Sequence, residues 1–200
     1  MDIHEEKIVV LDFGSQTTQL IARRIREQKV YCEIHPFNTD LDKILALKPK
    51  GIILSGGPCS VNDEDPPESD PALLDCGIPI LGICYGAQLI TKQSGGVVEK
   101  AGKREFGKAD LKIDDSDGLF AGFECGRDEY QVWMSHGDRI EKMPEGFKVT
   151  AESEHSPAAA IRHWEKPLMA VQFHPEVAHT LIGNDVLRNF VFGICGCSPA

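Results

Sequence analysis

Over its first hundred residues the chain alternates short apolar runs rich in β-branched residues with amphipathic stretches of helical length, and this alternation narrows the fold more than any other feature. KIVVLDFG (7–14) reads as a buried strand, and SQTTQLIARRIREQK (15–29) as a helix with Ser15 placed to cap it and a stripe of Leu20, Ile21 and Ile25. VYCEIHPF (30–37) reads as a second strand, DLDKILALK (40–48) as a short helix capped by Asp40, and GIILSGGP (51–58) as a third strand running into glycines. IPILGIC (78–84) is a fourth strand and YGAQLITKQSGG (85–96) a helix ended by two glycines. Strands joined through helices pair in parallel rather than as hairpins, so the expectation is an α/β fold with a mostly parallel central sheet and flanking helices.

Between 97 and 165 the pattern shortens to GKADLKI, FKVTAES and AAAIRH separated by turns, which predicts a smaller antiparallel or mixed flank. KPLMAVQFHPEV (166–177) reads as a late strand, and Leu187, Phe190, Val191 and Ile194 mark a C-terminal amphipathic helix. The acidic, proline-bearing segment NDEDPPESDP (62–71) reads as a solvated loop. Neither an internal repeat nor an interdomain linker is visible, so residues 1–200 are read as a single domain.

Charge then limits the partners. Twenty-one basic against thirty-one acidic residues give a net charge of -10, which repels phosphate backbones and anionic membrane surfaces and favours a small ligand over nucleic acid or membrane. Seven cysteines, without a CxxC pair, do not form a disulfide framework or a zinc ribbon; no metal site is predicted, and a reduced cytoplasmic protein fits. The N-terminal MDIHEEKIVVLDF is acidic with a short apolar run, unlike a signal peptide or a membrane span.

Within this frame GICYG (82–86) stands out. A G-x-C-x-G placed between a strand and a helix has the layout of a nucleophile elbow, where small flanks let the chain turn sharply and lift the central side chain above the sheet. A thiol there also meets unpaired N–H groups and the positive end of the helix dipole, both favouring thiolate. Cys32, Cys76, Cys125, Cys195 and Cys197 lack this context and are read as packing. His174 and Glu176, two residues apart at the end of an extended run and separated by Pro175, leave the same face of the chain. Thiol, imidazole and carboxylate together supply nucleophile, proton shuttle and ring-orienting group for acyl transfer. SGGP (55–58) ends the third strand on the same sheet edge as Cys84, where glycine N–H groups could join that of Tyr85 in holding an oxyanion; a plain tight turn is the alternative. A phosphate loop fits less well, because SGGPCS lacks the Lys-Ser/Thr or the aspartate such loops carry.

With these segments in place the sequence resembles the class I, triad-type glutamine amidotransferases, and within them the glutaminase part of the GMP synthetases. VLDFGSQTTQLIARRIRE, ILSGGPCSV, GICYGAQL, MSHGDRIEKMPEGFKVTAES, AVQFHPEV and NFVFGICGC carry the resemblance across almost the whole chain. It implies a flavodoxin-like arrangement in which Cys84 is the nucleophile, His174 the general base and acid, and Glu176 its partner. The N–H groups of Gly57 and Tyr85 then match the oxyanion hole, Gln88 the side chain that grips the amino acid end of L-glutamine, and Ser135, Gly137 and Asp138 a segment framing it through backbone. His136 has no implied proton-transfer role. The family's ATP- and magnesium-dependent synthetase part, which aminates XMP to GMP, has no counterpart in these 200 residues, so it is expected as a partner domain or subunit, with no cofactor needed here. Full-length members are commonly dimeric, an association that resembles a property of the synthetase half. The alternatives are a γ-glutamyl hydrolase and a non-catalytic regulatory subunit that binds amides.

Overall fold

In a computed structural model, which describes residues 5–127 and 129–199, nine strands join in one sheet in the order β2-β1-β3-β4-β9-β8-β7-β5-β6. They are β1 (Lys7–Asp12), β2 (Tyr31–Pro36), β3 (Gly51–Leu54), β4 (Ile80–Ile83), β5 (Val97–Ile113), β6 (Tyr130–Lys142), β7 (Phe147–Ser153), β8 (Ser156–His163) and β9 (Leu168–Val171). From β2 to β9 every pairing is parallel; from β9 to β6 every pairing is antiparallel. The expected mostly parallel sheet with an antiparallel flank is therefore what the chain forms. Residues 1–4, the start of the N-terminal segment considered above, lie outside the described residues.

Side-chain alternation along the parallel strands explains why both faces need cover. Ile8 and Val10 of β1 and Ile53 of β3 enter one core, packed under α1 (Thr18–Glu27) by Ile21 and Ile25 and under the C-terminal segment by Val186, Leu187 and Phe190. Val9 and Leu11 of β1 with Ile52 and Leu54 of β3 enter the other, covered by Ile44 of α2 (Leu41–Ala46) and by Leu89 and Ile90 of α3 (Tyr85–Gln93). A sheet buried on both sides reads as continuous apolar runs, which is why IVVL and GIIL carry no polar face.

Local details depart from expectation. Thr17, not Ser15, occupies the N-cap of α1; Ser15 Oγ instead accepts the Thr17 N–H at 3.0 Å. Asp40 does precede α2, but its side chain makes no capping hydrogen bond, and its carbonyl takes the Ile44 N–H. The C-terminal stripe divides into α4 (Gly183–Arg188) and a wider π-helical turn, Asn189–Ile194, where the Cys195 N–H bonds the Phe190 carbonyl five residues back. Asn189 Nδ2 ties that junction to the carbonyls of Leu119 and Ala121. Cys125, read as packing, is exposed.

Candidate active site

β4 ends at Ile83 and α3 begins at Tyr85, so Cys84 alone makes the turn, at φ 52° and ψ -104°. Positive φ in a non-glycine residue costs about 1–3 kcal/mol and persists only where the surroundings impose it. Here they do: the Cys84 N–H is bonded to the Val171 carbonyl at 2.9 Å, and its carbonyl accepts from the Gln88 N–H at 3.1 Å. The glycines on either side are required by contact. A Cβ on Gly82 would lie 2.6 Å from the Gly86 carbonyl oxygen, and one on Gly86 would lie 2.4 Å from that of Leu54.

The SGGP turn closes over the elbow. Ser55, fully buried, accepts the Phe13 N–H and donates to the Gly56 carbonyl, both at 2.9 Å, so the turn is tied to the end of β1. Gly57 passes so near Phe13 that a Cβ would meet its carbonyl oxygen at 2.3 Å. At Gly56 a Cβ would sit 3.2 Å from His174 Cε1 and 3.5 Å from Cys84 Cβ, which places the three segments at one point. Among the described residues, neither the Gly57 nor the Tyr85 N–H donates to a protein acceptor.

His174 lies three residues beyond the end of β9, which is shorter than the strand read over 166–177, so strand pairing does not hold the motif. Its N–H bonds the Trp133 carbonyl at 3.0 Å, and its own carbonyl accepts from the Thr180 hydroxyl at 2.5 Å. Nδ1 of the ring bonds Glu176 Oε1 at 2.7 Å, and the other side of the ring faces the Cys84 segment, where both approach the position of a Gly56 Cβ. Burial works to depress the imidazole, but the hydrogen bonds and charges of Cys84 and Glu176 outweigh it, and the ring is pushed up to about 10 from an ordinary value of 6.5. A raised value means the folded state binds the proton more tightly than the unfolded one. The associated stabilisation is complete below pH 6.5 and lost as pH climbs to about 10. The melting temperature of the wild type is accordingly expected to fall more steeply over that window than that of His174→Gln, as measured by calorimetry.

Glu176 is completely buried, and its Oε1 also accepts from Thr17 Oγ1 at 2.7 Å. Arg24 Nε donates to the Glu176 carbonyl at 3.0 Å. Thr17 thus joins the head of α1 to the carboxylate across 159 residues of sequence, a contact no local pattern announces. Gln172 was missed too. Its side chain, 1% exposed, approaches Cys84 Sγ with Nε2 at 3.7 Å, and the i, i+2 relation that groups His174 with Glu176 would also have grouped it with His174.

Ser135, Gly137 and Asp138 lie on β6, which the sequence reading had not recognised as a strand. The Ser135 carbonyl is 3.6 Å from Cys84 Sγ, and Gln88 Nε2 donates to the Asp138 carbonyl at 3.1 Å. Asp138 Oδ2 accepts from Ser60 Oγ at 2.5 Å, linking β6 to the segment after SGGP. Opposite Gly137 the β5–β6 register slips between Lys100 and Glu105. His136 points the other way, into a buried cluster: Nδ1 donates to the Asp138 carbonyl at 2.7 Å and Nε2 faces Glu105 Oε2 at 3.3 Å. Burial would raise Glu105, yet hydrogen bonds from His136, Ser156 and Ser153 hold it below the usual carboxylate range. This cluster braces the strand and lies outside the thiol's contacts, in keeping with a structural His136.

Two cavities meet at the sulfur. One, of about 340 Å³, is lined by Gly57, Cys84, Tyr85, Gln88, Ser135 and Asp138, among others. The second, of about 350 Å³, is lined on the imidazole side by Ser15, Thr17, Trp133, His174 and Val177 and shares Gly57, Pro58, Cys84 and Ser135 with the first. Three other thiols are quieted by burial. Burial pushes Cys32 up to about 12 and Cys197 up to about 11, and it raises Cys195 as well.

Residues 9–194 match the family "Glutamine amidotransferase class-I". The chain belongs to that family. A GMP synthase [glutamine-hydrolyzing] of Desulfotalea psychrophila is 65% identical over 197 residues, covering 98% of this chain, and one of Heliobacterium modesticaldum is 54% identical over 193 residues, covering 96%. The chain spans only 38% and 37% of those relatives' lengths. Among solved structures, a candidate GMP synthase subunit from Thermoplasma acidophilum superposes with a TM-score of 0.82 at 37% identity, covering 94% of this chain and 93% of that one. A glutamine amidotransferase from Thermotoga maritima, at 18% identity and a TM-score of 0.77, shares the fold. No helix among the described residues of this chain is long and apolar enough to cross a membrane.

Proposed function

We propose that this chain hydrolyses L-glutamine to glutamate and ammonia through a thioester on Cys84, and that the ammonia serves a synthetase domain or subunit that uses ATP and magnesium to aminate XMP to GMP. The observation that carries the reading is the convergence of Cys84, His174 and Glu176 beside two undonated backbone N–H groups. Glutamine lies in the cavity on the Gln88 side, with Ser135, Gly137 and Asp138 along its backbone. Both contacts of Gln88 use Nε2, which leaves Oε1 as the acceptor for an α-ammonium group.

The thiolate attacks the carboxamide carbon as the carbonyl pair moves onto oxygen, where the Gly57 and Tyr85 N–H groups receive it. Each such donor is worth about 3 kcal/mol in the transition state. Collapse breaks the C–N bond, and His174, held protonated by its two partners, gives its proton to departing ammonia. Acylation removes the charge from sulfur, and with it one of the influences that raised the imidazole. His174 is thereby fitted to take a proton from water, which attacks the thioester and frees glutamate and the thiol. Deletion of the Thr17 hydroxyl contact to Glu176 in Thr17→Val is expected to lower kcat about tenfold with little change in KM, and Thr17→Ser to restore most of it. Steady-state glutamate release checks both variants.

The reading as a whole is tested by incubating the chain with glutamine, alone and with a GMP synthetase ATP-dependent domain, while an electrophilic glutamine analogue is offered in parallel. Glutamate release and an adduct on Cys84 are expected. No release under either condition and no adduct would leave a non-catalytic amide-binding protein. Faster turnover of γ-glutamyl peptides than of glutamine would make it a γ-glutamyl hydrolase.

A further inference from the structure

Among the described residues, the hydrogen-bonding neighbours of Cys84 Sγ are the Ser135 carbonyl at 3.6 Å and Gln172 Nε2 at 3.7 Å. The carbonyl suits the thiol, whose S–H it can accept. Once sulfur carries a negative charge, only donors stabilise it, and Gln172 is the neutral side chain that supplies one.

The direction in which this amide points is set by the structure. The Asp138 carbonyl can only accept, so Gln88 turns Nε2 toward it at 3.1 Å. The same Nε2 lies 3.4 Å from Gln172, which must present Oε1 to it and is left with Nε2 facing sulfur. A flipped Gln172 would oppose two NH2 groups and set a carbonyl oxygen against the thiolate. Buried to 1% exposure, the side chain has no bulk water to correct such an error.

We propose that Gln172 is a further catalytic residue, its side-chain N–H donating to the Cys84 sulfur and holding negative charge there while Gln88 fixes which way the amide points. When the thiol proton passes to His174, the electron pair left on sulfur faces two donors, imidazolium and amide. Resting on the reading of Gln88 given above, the same chain of hydrogen bonds joins the grip on the substrate to the atom that attacks it. The titratable groups lining the two cavities are His174, Cys59, Tyr85, His136 and Asp138, with Glu176 behind His174; of these, the His174 imidazole interacts electrostatically with the Cys84 thiol.

The test is the pH dependence of Cys84 alkylation by iodoacetamide in the wild type, Gln172→Leu and Gln172→Glu. Mass spectrometry of the peptide containing Cys84 keeps the exposed Cys59 and Cys125 out of the signal. The midpoint in Gln172→Leu is expected to rise by about one pH unit, a roughly tenfold slower reaction below it, and in Gln172→Glu to rise further. A folded Gln172→Leu whose profile overlays the wild type overturns the proposal. Should circular dichroism show Gln172→Leu unfolded, Gln172→Met, which keeps the length and removes the donor, is read the same way. Alkylation needs no glutamine, so a shifted profile in a chain that does not turn over glutamine would retract the activity and keep Gln172. Turnover with an unshifted profile would do the reverse.

Discussion

Cys84→Ala is expected to remain folded and to release glutamate from glutamine about 10⁴-fold more slowly than the wild type, or not at all. The size follows from the division of labour at the site. On the proposed mechanism, removing the sulfur removes the group that forms the acyl intermediate, and the Gly57 and Tyr85 N–H groups are left with no attack to assist. The stability of position 84 can be read in the same experiment. Its backbone stands at φ 52°, which glycine adopts freely and alanine does not. Cys84→Gly should therefore be more stable than Cys84→Ala by about 1 kcal/mol in urea denaturation while being equally inactive. Wild-type turnover in either variant would remove Cys84 from the mechanism, and equal stability of the two would show that the elbow is unstrained.

The second large effect is on the fold. Gly86→Ala places a methyl group 2.4 Å from the Leu54 carbonyl oxygen and 2.7 Å from Leu54 Cβ, at the end of β3 where the SGGP turn begins. Helix propensity alone favours alanine here by about 1 kcal/mol. Overpacking against backbone costs about 1–3 kcal/mol and at times more, and at 2.4 Å the upper end applies, so packing wins. A net loss of about 2 kcal/mol is expected, with glutaminase activity falling as Gly57 is displaced. Gly102→Ala is the control: a Cβ there meets nothing within 4 Å, and its urea midpoint should match the wild type. A Gly86→Ala midpoint equal to that of the wild type would contradict the close approach of α3 to β3.

These effects also show what the sequence could and could not reveal. Gly82, Cys84 and Gly86 are legible because the elbow is local: the strand, the corner and the helix occupy one continuous stretch, and each glycine answers a steric demand. His174 and Glu176 are legible for a similar reason, two residues apart with a stiffening proline between them. β6 escaped notice because SHGDR interrupts its apolar alternation, and His136 is buried there only because Glu105 and Ser156 arrive from other strands to satisfy it, with Ser153 donating to Glu105 in turn. The first half of β5 is mostly exposed, so its VEKAGKRE has no hydrophobic period to read; pairing with β6 makes it a strand. Thr17 could not be given a role from spacing, since its partner Glu176 lies 159 residues away; spacing puts Gln172 on the face of His174, but its contact with Cys84, 88 residues away, shows in no pattern.

The place of β9 in the sheet has a consequence for the newborn polypeptide. Residues 168–171 leave the ribosome well after β1 to β4, yet they lie in the middle of the sheet, between β4 and β8. Until they arrive, the β2-β1-β3-β4 layer waits with the open edge of β4 next to a bare thiol. The imidazole and carboxylate come in on that late insertion, so on the proposed mechanism the triad cannot assemble until this region has been translated.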